Sequence, residues 1–323
     1  MLLSRGSANL MITSRKALGR VLPETVLLSL RARRKNIHLN LRAIRTNVAW
    51  AVGRPRARVH GLAAPLIVSV TSYPKRFRTL ALTIKCLLSQ TIAPDAVMLW
   101  IADADKQALP GNVLTLQEAG LTIEYTEDLG SFKKIIPALR RFPKAFIATA
   151  DDDVYYWPTW LEELVSAHSP GRREIVCHRV NKIRLGADSL PLPYTQWDFE
   201  YAGSEPSPLI FPTGVGGVLY PPDHLHPDVI DEATFRALCP STDDAWLYWM
   251  GQRAGSQFRR TELGDTVTRG LGSSSRLSMT PWPGSQGVSL WRSNVLLGGG
   301  NDHQIRNLID RFGFPPTPAT KTL

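Results

Sequence analysis

The chain has 323 residues, 43% hydrophobic and 20% charged, enough for a substantial core, which excludes general disorder and collagen-like repeats. Its net charge of +10 is unevenly placed: residues 1–60 carry 13 basic residues and one acid, a net +12, and the remainder nets −2. A basic appendage on a near-neutral body is expected, not a nucleic-acid-binding fold. No run of about 18 apolar residues occurs, and no signal-peptide core with a cleavage site is visible. Cys86, Cys177 and Cys239 are far apart and form no CxxC pair. Neither a disulfide framework nor a cysteine zinc site is expected, and a reducing cytosol is the simplest compartment.

In the arm, Leu27, Leu30, Ile37, Leu41, Ile44 and Val48 fall on alternating three- and four-residue steps, with Arg34 at the missing position. Arg31, Arg33, Lys35, Arg42 and Arg45 take the other faces, so the spacing predicts a basic amphipathic helix. Such a helix lies on an anionic membrane surface, or docks on the body with its basic face solvated. Gly53, Pro55 and the basic cluster 54–58 read as a linker, giving an arm over 1–60, a body over 61–314 and a tail over 315–323.

The body opens with a buried strand over Leu66–Val70 and a loop from Thr71 to Arg76. A helix over Leu80–Gln90, a strand over Ala96–Ile101, a helix over Val113–Ala119 and a strand over Thr122–Tyr125 follow. Next come a helix or turn over Lys133–Phe142 and a strand over Ala145–Ala150. This βαβ alternation predicts an α/β fold with a mostly parallel sheet and helices on both faces. Ligands of such sheets sit at the carboxyl ends of the strands, which singles out Thr71 to Arg76, Asp103, Asp128 and Asp151 to Asp153. Beyond residue 180 the pattern loosens, with a strand expected over Gly217–Tyr220 and helices over Thr242–Arg253 and Asp302–Phe312. Ser273 to Gly300 is rich in Ser, Gly, Pro and Trp.

Two acidic motifs carry the strongest chemical signal. Asp151, Asp152 and Asp153 directly follow an apolar strand, and three adjacent carboxylates either hold a hard cation such as Mg²⁺ or Mn²⁺ or cap a helix. Asp243 and Asp244 begin a helix that Ser241 could cap; they are dipole-compensating acids or include a general base open to a hydroxyl. Trp246, Trp249 and Met250 share that helix at core-stripe spacing. Gly214, Gly216 and Gly217 precede a strand and allow either close approach to a ligand or a tight loop. His303 opens the last helix as a metal ligand or a solvated side chain, and Lys133 and Lys134 could offer a cation to a diphosphate.

In this order, "TSYPKR", "EDLGSFKKIIPAL", "TADDD", "TGVGGVLYPP", "STDDAWL" and "NDHQIRNL" resemble a GT-A glycosyltransferase. The likeness is to the bacterial family 2-like enzymes of polysaccharide or lipopolysaccharide assembly, and it covers about Pro65 to Phe312. It implies a Mn²⁺- or Mg²⁺-dependent, inverting transfer from a nucleotide-sugar, by family habit a UDP-sugar, to a saccharide or glycolipid. By the same resemblance Thr71, Arg76, Asp103, Lys134, Asp151, Asp152, Gly216 and Gly217 surround the donor. Asp151 and Asp153 are the DxD pair, His303 a further metal candidate, and Asp244, beside Asp243, the base. Asp243 departs from the family's Glu, and no QxxRW follows, so a processive synthase is not expected. The rival readings are a nucleotidyltransferase on a similar sheet and a non-catalytic scaffold for a membrane-bound assembly. The expected location is cytoplasmic, peripheral on the inner face of the membrane.

Overall fold

A computed structural model describes residues 24–54, 56–261, 282 and 300–314. The chain divides into two compact units, residues 1–45 and 46–323. The expected amphipathic helix forms as α1 (Glu24–Val52), and Ile37, Leu41, Ile44 and Val48 on its apolar stripe are exposed. It ends at Gly53, whose φ of 123° favours glycine. The boundary between units therefore falls inside this helix, earlier than the arm boundary at residue 60. Arg54 and Arg58 belong to the second unit, where Arg54 donates to the carbonyl of Ala119 (2.8 Å) and Arg58 pairs with Glu162.

The second unit is built on a seven-stranded sheet. Its strands are β1 (Leu66–Thr71), β2 (Ala96–Ala102), β3 (Leu121–Thr126), β4 (Phe146–Ala150), β5 (Glu174–Cys177), β6 (Val218–Tyr220) and β7 (Gln257–Arg260). Their order is β7-β5-β6-β4-β1-β2-β3. β1 lies parallel to β2, with Ile67 opposite Ala96, and parallel to β4, with Leu66 opposite Phe146; β2 and β3 are also parallel. β6 alone is reversed, antiparallel to β4 and β5, while β7 runs parallel to β5. The fold is α/β, with a mostly parallel central sheet flanked by helices.

Among the described residues, the helices of six residues or more in this unit are α2 (Phe77–Leu87), α3 (Ile136–Arg141), α4 (Trp160–Ala167), α5 (Glu232–Leu238), α6 (Asp243–Arg253) and α7 (Gly300–Phe312). The expected helix over Val113–Ala119 is instead a short α-turn, Gly111–Leu114, running into a 3-10 segment that stops at Gly120. Gly120 sits at φ 105°, the conformation that ends a helix and that glycine adopts freely. Trp246, Tyr248, Trp249 and Met250 of α6 are buried with Phe211, Phe235 and Phe258. Ala245 to Gly251 are all buried, so these aromatic residues belong to the core of a helix covered on every side, and truncating one such tryptophan to alanine costs about 3–5 kcal/mol. Most of Ser273 to Gly300, and the expected tail over 315–323, lie outside the described residues.

β1 is the pivot of this topology. Its successor β2 lies on one side and β4 on the other, so the strand order reverses between β1 and β4. In open α/β sheets a crevice opens at such a reversal, beyond the carboxyl ends of the strands.

Candidate functional site

Both acidic motifs converge on that reversal point. Asp151 to Asp153 leave β4 in a turn, and the next helix, α4, starts only at Trp160, so they cap no helix. The turn is pinned through its backbone. The Asp151 N–H donates to the Tyr156 hydroxyl (2.7 Å), Thr83 Oγ1 donates to the Asp152 carbonyl (2.9 Å), and the Trp282 N–H donates to the Asp153 carbonyl (2.7 Å). Trp282 Nε1 in turn donates to Thr83 Oγ1 (2.8 Å), closing the frame.

Across the sheet reversal, Ser72, the residue after β1, donates from Oγ to Asp152 Oδ2 (2.5 Å). A 3-10 turn over Pro74–Arg76 then aims Arg76 back at the aspartates, 2.5 Å from Asp153 Oδ2 and 3.2 Å from Asp152 Oδ1. Burial works against the Arg76 charge, but Asp153 and Asp152 more than offset it and raise its pKa. Burial pushes the Asp152 carboxyl up to about 7, against the pull of Arg76 and Ser72.

The second motif reaches the first through one lysine. Lys134 closes a 3-10 turn over Gly130–Lys134, and only 9% of its side chain is exposed. Its Nζ lies 3.0 Å from Asp151 Oδ1 and 3.0 Å from Asp243 Oδ2. Burial opposes this charge too, yet Asp151, Asp243 and Asp244 hold its pKa well above the ordinary lysine value. Asp243 is buried, whereas Asp244 is half-buried as a residue with its carboxyl densely surrounded. Asp244 Oδ1 accepts from the Gly214 N–H (3.0 Å). Burial and the neighbouring Asp243 raise the Asp244 pKa to about 7.

The glycine loop has a division of labour that the sequence does not reveal. A Cβ on Gly214 would lie 2.8 Å from Lys134 Nζ and 2.9 Å from Asp244 Oδ1, so this glycine faces the charged cluster. Gly217, at φ 91°, faces the Trp160 ring, which a Cβ would meet at 2.6 Å. Trp160 Nε1 also donates to the Gly216 carbonyl (2.8 Å), so the loop leans on α4.

Other candidates stand apart from this cluster. Thr71 spends its hydroxyl on the Trp100 carbonyl (2.8 Å), and Asp103 is exposed at the end of β2. His303 is exposed on α7, its Nδ1 3.4 Å from Asn307 Nδ2. Two other side chains of α7 secure the start of α6: Asn301 Oδ1 accepts from Thr242 Oγ1 (3.2 Å), and Gln304 Oε1 accepts from the Ser241 N–H (3.0 Å). Thr242, not Ser241, stands at the N-cap, and the Thr242 side chain makes no capping hydrogen bond. A polar pair three residues apart ahead of an apolar helix face is too common a pattern to mark this role in advance.

Among the described residues, no three His, Cys, Asp or Glu side chains are gathered closely enough to hold a metal ion as they stand. The donor chemistry nevertheless fits a hard divalent cation. Five carboxylates, Asp151, Asp152, Asp153, Asp243 and Asp244, share two cations, Arg76 and Lys134, and the Asp151 side chain is 27% exposed. Oxygen ligands with uncompensated negative charge suit Mg²⁺ or Mn²⁺.

No family model and no curated protein matches the chain. Among solved structures it is similar to a mannosyltransferase from Pyrobaculum calidifontis in complex with GDP-Man and Mn²⁺. Identity there is 17% and the TM-score 0.30, over 49% of this chain and 47% of that one, so it spans about half of that protein. It is also similar to GalNAc-T7 with UDP, GalNAc and Mn²⁺ (11% identity, TM-score 0.42, 92% of this chain and 68% of that one). A third likeness is to CMP:2-keto-3-deoxy-manno-octonic acid synthetase complexed with CTP (12%, 0.36, 61% and 89%). Likenesses this distant carry no functional weight.

Proposed function

We propose that the chain is a GT-A-type glycosyltransferase that moves a sugar, with inversion, from a nucleotide-sugar to a saccharide or glycolipid acceptor. One observation carries the reading: Lys134 joins Asp151 to Asp243 at the sheet's reversal point, so two acidic motifs far apart in sequence form a single cluster. Asp151 and Asp153 would hold a Mn²⁺ or Mg²⁺, which supplies countercharge to a donor diphosphate when bound. Exposed His303 is left out of that set. Lys134 offers a fixed positive charge beside it, of the kind that stabilises a departing diphosphate.

Asp244, raised to about 7 and half-buried beside Lys134, has the pKa of a general base near neutral pH. It takes the proton of an acceptor hydroxyl while that oxygen bonds to the anomeric carbon. The bond from that carbon to the diphosphate oxygen breaks, and the electron pair leaves with the nucleoside diphosphate. The preference for a uridine donor and for polysaccharide or lipopolysaccharide assembly rests on the motif resemblance alone. Attachment of the arm to an anionic membrane surface is supported by its charge and by the exposed apolar stripe on α1.

The test is release of nucleoside diphosphate from a panel of nucleotide-sugars with saccharide acceptors. Release of nucleoside diphosphate supports the reading. Pyrophosphate formed from a nucleoside triphosphate and an activated-sugar precursor would make the chain a nucleotidyltransferase. Silence across both panels would favour a scaffold.

A further inference from the structure

The two cations of the cluster are not equivalent. Lys134 joins the two acidic motifs, whereas Arg76 pairs with Asp152 and Asp153 of the first motif and also hydrogen-bonds Tyr73. The turn cannot easily rearrange, because Tyr156, Thr83 and Trp282 hold its backbone at three successive residues. Asp152 is further fixed by Ser72. Arg76 is held differently. It arrives on a long side chain from the far side of the crevice, its guanidinium carbon 5.9 Å from the Tyr73 ring centroid. Only 10% of the side chain is exposed, so its charge has given up most of its water and depends on the carboxylates. The guanidinium thus occupies Oδ2, one of the two Asp153 oxygens open to a cation, at 2.5 Å. Two positive charges on one carboxylate oxygen repel strongly inside a protein.

We propose that Arg76 is the resident counter-ion of the aspartate turn, and that it and a divalent cation exclude one another on Asp153. The inference rests on the proposed cation site. Without a cation, Arg76 offsets part of the turn's negative charge and keeps it folded. When a cation enters, Arg76 swings off Asp153 toward the mouth of the crevice. Arg76 therefore weakens cation affinity and makes the folded chain stable without metal. This side chain is a latch on the site and a positioning residue, not a catalytic one.

Mn²⁺ binding to the full chain, followed by the free-ion EPR signal without donor, tests this in the wild type, Arg76→Gln and Asp153→Asn. Arg76→Gln should bind Mn²⁺ about tenfold or more tightly than the wild type, since one buried positive charge is gone. Its thermal midpoint in EDTA should be lower than that of the wild type and should recover when Mn²⁺ is added. Equal or weaker Mn²⁺ binding by Arg76→Gln, beside binding by the wild type that Asp153→Asn abolishes, overturns the latch and leaves the cation site standing. No Mn²⁺ binding by any form overturns both. Should Arg76→Gln fail to fold, Mg²⁺ is titrated into the wild type while arginine Nε–H resonances are followed by NMR, with Arg76→Lys identifying the signal. A shift of the Arg76 resonance as Mg²⁺ saturates supports the exchange, and an unmoved resonance at saturation overturns it.

Discussion

Asp243 and Asp244 are adjacent on one turn of α6, yet their carboxyl groups meet different company. Asp243 is buried against Lys134, while Asp244 is half-buried and accepts the Gly214 N–H. Successive helical residues point about 100° apart, so only one of the two can face an acceptor. Asp244→Asn should lower turnover by about 10²- to 10⁴-fold with donor affinity nearly unchanged, measured by steady-state kinetics and calorimetry. Asp243→Asn should instead loosen Lys134, and with it donor affinity and stability. In the wild type, turnover should rise with pH through the raised Asp244 pKa of about 7. The stability consequence has the opposite sense. As pH rises past the ordinary carboxylate range the unfolded chain loses this proton first, while the folded chain keeps it up to about 7. The folded state binds more protons over that window, so this group's contribution to stability falls as pH rises through it. Urea midpoints at pH 5 and pH 8 should therefore converge in Asp244→Asn relative to the wild type. A pH difference of unchanged size would remove Asp244 as its source.

Two loop glycines with the same sequence signature do different work, and this is decided by the elements that surround them. Gly217 combines a positive φ with the Trp160 ring on α4, so Gly217→Ala should destabilise the fold by about 1–3 kcal/mol, read as a shift in urea midpoint. A Cβ at Gly214 would meet the ends of Lys134 and Asp244 first, and Gly214→Ala should displace both charges. It should cut turnover far more than it lowers the midpoint. The reverse pattern would place the working face of the loop at Gly217. The sequence shows that glycines cluster before β6, but the partner of each is a matter of tertiary approach.

The same limit runs through the elements. β1, β2 and β4 are legible because buried parallel strands are nearly continuous apolar runs, β3, an edge strand with only Leu121 buried, because Thr122, Ile123 and Tyr125 follow Gly120, and β6 because it follows the glycines. β5 and β7 are four residues each, and Gln257–Arg260 exposes or half-exposes all but Phe258, leaving little pattern to read. α4 is missing from the sequence reading altogether. It carries the adjacent acids Glu162 and Glu163 and follows an aromatic-rich turn, which masks its apolar stripe of Trp160, Leu161 and Leu164. For the candidate site, the acidic motifs stand out because adjacent carboxylates at a strand end or helix start are conspicuous. Their meeting on Lys134, and the pairing of Arg76 with Asp152 and Asp153, depend on how strands separated in sequence are ordered in the sheet.

At the scale of the whole molecule the division of charge remains the organising fact: +12 lies in the first 60 residues and −2 in the rest. Among the described residues no helix is long and apolar enough to cross a membrane, and α1 carries a one-sided apolar stripe instead. The stripe continues through Ile37, Leu41, Ile44 and Val48 with Arg42 and Arg45 beside it, so apolar and basic contacts would engage one anionic surface together. Each basic residue near such a surface contributes about 1 kcal/mol, and salt screens that term within a Debye length of about 8 Å at physiological ionic strength. Co-sedimentation with vesicles containing phosphatidylserine or phosphatidylglycerol should therefore be strong at low salt and fall steeply by 0.5 M NaCl. Removal of residues 1–45 is the informative truncation, because Arg54 and Arg58 are bonded within the second unit and must stay. The truncated chain should lose vesicle binding while keeping turnover of a soluble acceptor. Replacing Ile37, Leu41 and Ile44 with serine in the full chain should weaken binding without changing its salt dependence, since the charges remain. Equal sedimentation of full-length and truncated chains would remove the membrane role. Salt-independent binding would mean that the apolar stripe alone carries it.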